Sequence, residues 1–168
     1  KPSQSNKHWF PWIQKQLSVR DELCQVLEMP RPYEPVYADW LEVFKQLQWN
    51  NESILIGHSC GAGFLLRFLS ENKDKNPKKL ILVAPWLDPD RTNKSGFCDF
   101  EIDTNLSNRT KLHIFISSDD NHHLLRSFAI VKEKLPNAIY HEFTDKGHFT
   151  KGDLGTEEFP ELLEIILN

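Results

Sequence analysis

Ile54-Leu55-Ile56-Gly57-His58-Ser59-Cys60-Gly61-Ala62-Gly63 reads as a short buried strand that breaks into a sharp turn and then a helix. Its centre, Gly57 to Gly61, is G-x-S-x-G. Glycines two positions either side of a serine allow a strained strand-to-helix turn that lifts the hydroxyl clear of the sheet. The helix that follows aims its first main-chain N–H groups at the same spot. The surroundings agree with the motif: an apolar, β-branched run precedes it, and Phe64, Leu65, Leu66, Phe68 and Leu69 give the next segment a helical apolar face. Ser59 is therefore a candidate nucleophile.

Working outward, Trp9 to Leu17 has the spacing of a helix, with Pro11 in the first turn where its missing donor costs nothing. Leu23 to Met29 reads as a short strand stopped by the prolines at 30, 32 and 35, and Val36 to Leu47 as a second amphipathic helix. Lys79 to Pro85 is a fully apolar strand of the kind buried on both faces of a parallel sheet. A polar, aromatic-studded connection from Trp86 to Thr110 leads to a strand at Leu112 to Ile116, a helix at Leu124 to Leu135, a strand at Ile139 to Phe143 and a closing helix at Phe159 to Leu167. Strands and helices alternate, which predicts one α/β domain over residues 1–168, with a mostly parallel sheet flanked by helices. The connection after Trp86 is too short for a full lid domain, so the site should be open and the substrate small.

The formal charge of −4 is mild and its acids and bases are interspersed, so neither nucleic acid nor an anionic membrane surface is an expected partner. Three cysteines, Cys24, Cys60 and Cys98, make an odd count without C-x-x-C spacing, which argues against a disulfide framework and a zinc site and for a reducing cytoplasm. No stretch has the apolar length of a membrane span, and the start, Lys1 to Lys7, lacks the apolar core of a signal peptide.

A serine hydroxyl needs a base to take its proton, and the base needs a carboxylate to hold its tautomer. Both should follow Ser59 in the order acid, then histidine. Ile114 to Asp120 ends a strand with two candidate acids, Asp119 and Asp120, and Thr144 to Phe149 puts His148 beside a glycine in the loop after the last strand. His58 reads as a pocket-wall or packing residue, His8, His113 and His141 as surface or strand positions, and Asp145 as a turn residue. His122 and His123 are adjacent, so their side chains point apart, which argues against a metal site.

Taken together, these blocks resemble the small single-domain serine hydrolases of the α/β-hydrolase fold in the retinoblastoma-binding protein 9 family. The likeness rests on Asn6 to Trp12, Glu28-Met29-Pro30, the Gly57-His58-Ser59 elbow with Arg67-Phe68-Leu69, Ser118-Asp119-Asp120, and Phe143 to Phe149. It implies a Ser-Asp-His triad of Ser59, Asp120 and His148, with no metal and no organic cofactor. The implied reaction is acyl transfer from a small ester or amide to water, with the Cys60 N–H as an oxyanion donor. Trp86, Phe97 and Phe100, with His58, are the expected pocket walls. The sequence departs from the family at Asn121-His122-His123-Leu124, where an apolar stretch and a proline are usual. The family also begins with a strand ending in His-Gly, whose loop supplies a second oxyanion donor. The sequence starts just past that point, so a first strand is expected outside it, between the Leu23 strand and the elbow strand. The alternative is a non-catalytic interaction module on the same fold; a Leu-x-Cys-x-Glu motif is absent, because Glu22, His58 and Gly96 precede the cysteines by two.

Overall fold

Four short apolar runs pair side by side as the sheet: β1 (Ile54–His58), β2 (Lys79–Val83), β3 (Lys111–Ser117) and β4 (Ile139–Phe143), in the order β1-β2-β3-β4 and all parallel. The computed structural model describes residues 5–168; Lys1 to Gln4, part of the polar start, lie outside the described residues. β2 is buried along its whole length, as a strand covered on both faces must be.

The helices are α1 (Phe10–Ser18), α2 (Tyr37–Phe44), α3 (Cys60–Glu71), α4 (Leu106–Arg109), α5 (His122–Lys134), α6 (Lys151–Leu154) and α7 (Pro160–Leu167). α1 and α7 begin with proline in the first turn, and α5 begins with Asn121, whose side chain accepts from the main-chain N–H groups of His123 and Leu124. The short α4 and α6 were not anticipated. α6 is nonetheless written in the sequence as a capping box, Thr150 and Asp153 exchanging side-chain and main-chain bonds.

Alternation along β1 sends Gly57 toward α3 and His58 toward Trp9 and Phe10 at the start of α1. The two faces then carry separate aromatic clusters. One joins Trp9, Phe115, Phe143, Phe149 and Phe159, the other Tyr37, Trp40, Phe44, Phe64, Phe68 and Phe97. Each fully buried phenylalanine among them contributes about 1.5 to 3 kcal/mol relative to exposure.

Leu23 to Met29 corrects one expectation. The segment is not a strand, Leu23 is 87% exposed, and residues 23–29 make no main-chain hydrogen bond to the main chain of another described residue. A strand exists only where a neighbour supplies the ladder, and none lies beside this segment among the described residues. β1 is likewise an edge: its one described ladder is with β2.

Candidate active site

Ser59 sits between β1 and α3 at φ 55° and ψ −116°, a left-handed backbone that a serine adopts only when its surroundings hold it there. They do so by main-chain bonds. The Ser59 N–H donates to the Val83 carbonyl at 2.9 Å, and the Ser59 carbonyl accepts from Gly63 and Trp86 at 3.1 and 3.2 Å. A Cβ on Gly57 would lie 2.5 Å from the Gly61 carbonyl oxygen, and one on Gly63 would lie 2.2 Å from the Trp86 carbonyl oxygen. The close approaches therefore belong to Gly57 and Gly63. Gly61, the second glycine of the motif, has open space around it.

The Ser59 hydroxyl caps nothing in its helix and points instead at His148, with 2.9 Å between Ser59 Oγ and His148 Nε2. On the other side of the ring, His148 Nδ1 donates to Asp120 Oδ2 at 2.8 Å. The Asp120 side chain is 1% exposed, and Asp120 Oδ1 accepts from the Asn121 N–H. Asp119 faces the other way: it is exposed and accepts from the Ser117 hydroxyl and the Gly147 N–H, which hold its carboxyl below the usual carboxylate range. Of the two sequence candidates, Asp120 is at the imidazole and Asp119 braces the loop that carries it.

That loop is tied along its length. Lys146 N–H donates to Ser117 Oγ at 3.1 Å, His148 N–H to Asp153 Oδ2 at 3.1 Å, and Trp9 Nε1 to the Phe149 carbonyl at 3.1 Å. No motif marks these residues as anchors of the loop, although Trp9 lies in the Asn6 to Trp12 block. Only Asp153 had a local signal, the T-x-x-D spacing.

Beside Ser59 lies a cleft of about 290 Å³, walled by Cys60, Trp86, Pro89 and Leu124 and rimmed by Asp90, Asn121 and His123. Of the four residues expected as pocket walls, Trp86 lines this cleft. Phe97, at 1% exposure, is held in the ring cluster with Trp40 and Phe64, so it is a core residue and not a wall. Phe100 packs against the core and His58 is buried under α1, so neither lines the cleft. The rim residue His123 pairs with Asp90, as does Arg126 one turn further along α5. The Cys60 thiol is pushed up to about 11 by burial and stays protonated at neutral pH. As the first residue of α3, Cys60 has a main-chain N–H with no partner carbonyl within the helix.

A family model described as serine hydrolase matches residues 2–167. The chain belongs to the serine hydrolase family. This serine hydrolase is 27% identical over 168 residues to YdeN of Bacillus subtilis, covering 96% of this chain and 88% of that protein. It is also 27% identical over 165 residues to the Rattus norvegicus serine hydrolase RBBP9, covering 94% of this chain and 84% of the relative. The crystal structure of the YdeN gene product superimposes with a TM-score of 0.84 at 25% identity, over 98% of this chain and 91% of that one. Est1E from Butyrivibrio proteoclasticus, at TM-score 0.63 and 14% identity over 98% of this chain and 83% of its own, shares the fold alone. The serine hydrolase is thus a hydrolase of α/β-hydrolase fold, and among its described residues no helix is long and apolar enough to cross a membrane.

Proposed function

We propose that the protein hydrolyses small esters or amides through an acyl-enzyme on Ser59. The observation that carries this reading is the unbroken hydrogen-bonded line from Ser59 Oγ through His148 to Asp120, at 2.9 and 2.8 Å. His148 Nε2 takes the hydroxyl proton as Oγ attacks the carbonyl carbon, and Asp120 stabilises the imidazolium that forms. The oxyanion is received by the Cys60 N–H. Collapse breaks the bond to the alcohol or amine, which leaves with the proton from His148. Water, deprotonated by the same ring, then frees the acid. The cleft of about 290 Å³, with Trp86, Pro89 and Leu124 for walls, suits a short acyl group. Three free cysteines support a cytoplasmic setting for it.

An oxyanion hole ordinarily has two donors, and the edge of β1 that carries no ladder among the described residues is where a second one would enter. A strand added there would lie parallel to β1, and its C-terminal loop would face Ser59. A second donor at that place is worth about a hundred- to a thousand-fold in the protein's turnover. An apolar strand peptide ending in His-Gly, supplied in trans, should raise its rate; no response to the peptide would count against this completion of the site.

The activity is tested with a panel of p-nitrophenyl esters and aminoacyl amides. A burst of nitrophenol followed by a slower steady state, with acetyl to butyryl esters preferred over long chains, is the expected result. Folded protein that turns over no member of the panel would contradict the reading.

A further inference from the structure

His58 is buried and stands immediately before Ser59, yet its ring is not idle packing. Its Nε2 lies 2.7 Å from the main-chain carbonyl of His148, and since a carbonyl only accepts, Nε2 carries the hydrogen. The ring centroids of His58 and His148 are 5.0 Å apart. On its other sides His58 meets the edges of His8 and Phe10 and the tilted ring of Trp9.

The stretch that His58 grips needs holding. Gly147 and Phe149, the residues on either side of His148, both have positive φ, 48° and 57°. For an aromatic residue such as Phe149 that backbone costs about 1 to 2 kcal/mol. The strain persists only where neighbours over-determine it. Beside the Ser117 and Asp119 bonds already described, four ties hold the stretch. Asp153 accepts from the His148 N–H, His58 donates to the His148 carbonyl, Trp9 donates to the Phe149 carbonyl, and the Lys151 N–H donates to His8 Nδ1 at 3.2 Å. Three of these four ties come from two places far away in sequence, the His8-Trp9 corner and the elbow. Asp153 alone is local.

We propose that His58 is a positioning residue for His148: it ties the main chain of the base to the residue immediately before the nucleophile, so one short link sets the Ser59 Oγ to His148 Nε2 separation. A histidine suits this place better than a lysine or an arginine. Burial, then the neighbouring His148 and, further down, His8 lower its pKa to about 3 against the opposing His148 carbonyl and Asp153, so His58 stays uncharged while His148 takes up its proton. A charged donor 5.0 Å from the imidazolium would oppose the step that His148 has to perform. The proposal rests on the acyl-transfer reading, in which His148 is the base.

The test compares wild type with H58F, which keeps a ring among His8, Trp9 and Phe10 but has no donor, and H58Q, which restores an N–H. With folding checked by near-UV circular dichroism, H58F should label at Ser59 with a fluorophosphonate about ten- to a hundred-fold more slowly, the scale of loss for a misplaced catalytic group. For a short ester the fall should be in kcat with KM little changed, and H58Q should recover most of it. Folded H58F that reacts at the wild-type rate would overturn the positioning role and leave the acyl-transfer reading standing. Absence of labelling in folded wild type would instead count against the acyl-transfer reading. Imidazole ¹⁵N spectra decide the positioning role without turnover and without a variant. His58 should be an Nε2–H tautomer that does not titrate between pH 8 and 5, and an Nδ1–H tautomer or an ordinary titration near 6.5 would overturn it.

Discussion

On the side of Ser59 that faces the ends of β3 and β4, His148 is tied at both ring nitrogens and at both main-chain polar groups, by Ser59, Asp120, Asp153 and His58. On the side that faces the outer edge of β1, no ladder exists among the described residues, residues 23–29 form no strand, and the Cys60 N–H, at the start of α3, is a donor without a helical partner. The difference separates two parts of a hydrolase that depend on different things. A proton relay is made of side chains carried on strand ends and survives changes at a sheet edge. An oxyanion hole is made of main chain from two neighbouring loops and does not.

The largest effect expected falls on the tied side. Asp120→Asn should cut turnover about 10⁴-fold, because an amide favours the wrong imidazole tautomer, whereas Asp119→Asn should cost no more than about tenfold through its bonds to Ser117 and Gly147. Ester kinetics on the two variants check this, and the reverse order would make Asp119 the acid.

Next are the glycines where β1, α3 and the Trp86 loop converge. Gly63→Ala pushes a methyl to 2.2 Å from the Trp86 carbonyl oxygen and should destabilise the fold by about 3 kcal/mol in urea unfolding. Gly61→Ala, with open space and a helical backbone, should instead stabilise it by up to about 1 kcal/mol. Equal effects at the two positions would mean that the elbow is not packed as described.

A smaller effect of pH separates the sides again. Burial lowers His58 to about 3 and His113 to about 4, with His148 and His141 as the next contributors, and the Nε2 of His113 has no hydrogen-bond partner. The unfolded chain protonates both below about 6.5 while the folded chain does not, so stability is full above that pH and falls as pH drops toward 4. Each histidine should cost about 2 kcal/mol between pH 6.5 and 5. A urea midpoint unchanged between pH 7 and 5 would contradict their burial as neutral rings, and His113→Phe should remove one share of the slope.

Much of this was legible beforehand. The elbow, the strands read at 79–85, 112–116 and 139–143 and the order of a serine, an acid and a histidine follow from local signals, apolar runs bounded by turn residues and motif spacing, whereas Asp120 over Asp119 came only with the family resemblance. Leu23 to Met29 misled because a strand is a property of a pair, and its composition says nothing of whether a partner lies beside it. Phe97 and Phe100 misled because an aromatic residue in a loop carries no mark of whether it faces core or cleft. The ties from Trp9 and His58 to the His148 loop span 140 and 90 residues, so no window of sequence contains them.

The central claim is that the hydroxyl of Ser59 is activated by His148. Intact mass and peptide mapping after treatment with a fluorophosphonate test it most directly. The account predicts one adduct per chain, on Ser59, lost in Ser59→Ala and slowed at least about a thousand-fold in a folded His148→Ala variant. An adduct elsewhere, or labelling of Ser59 at an unchanged rate without His148, would contradict it.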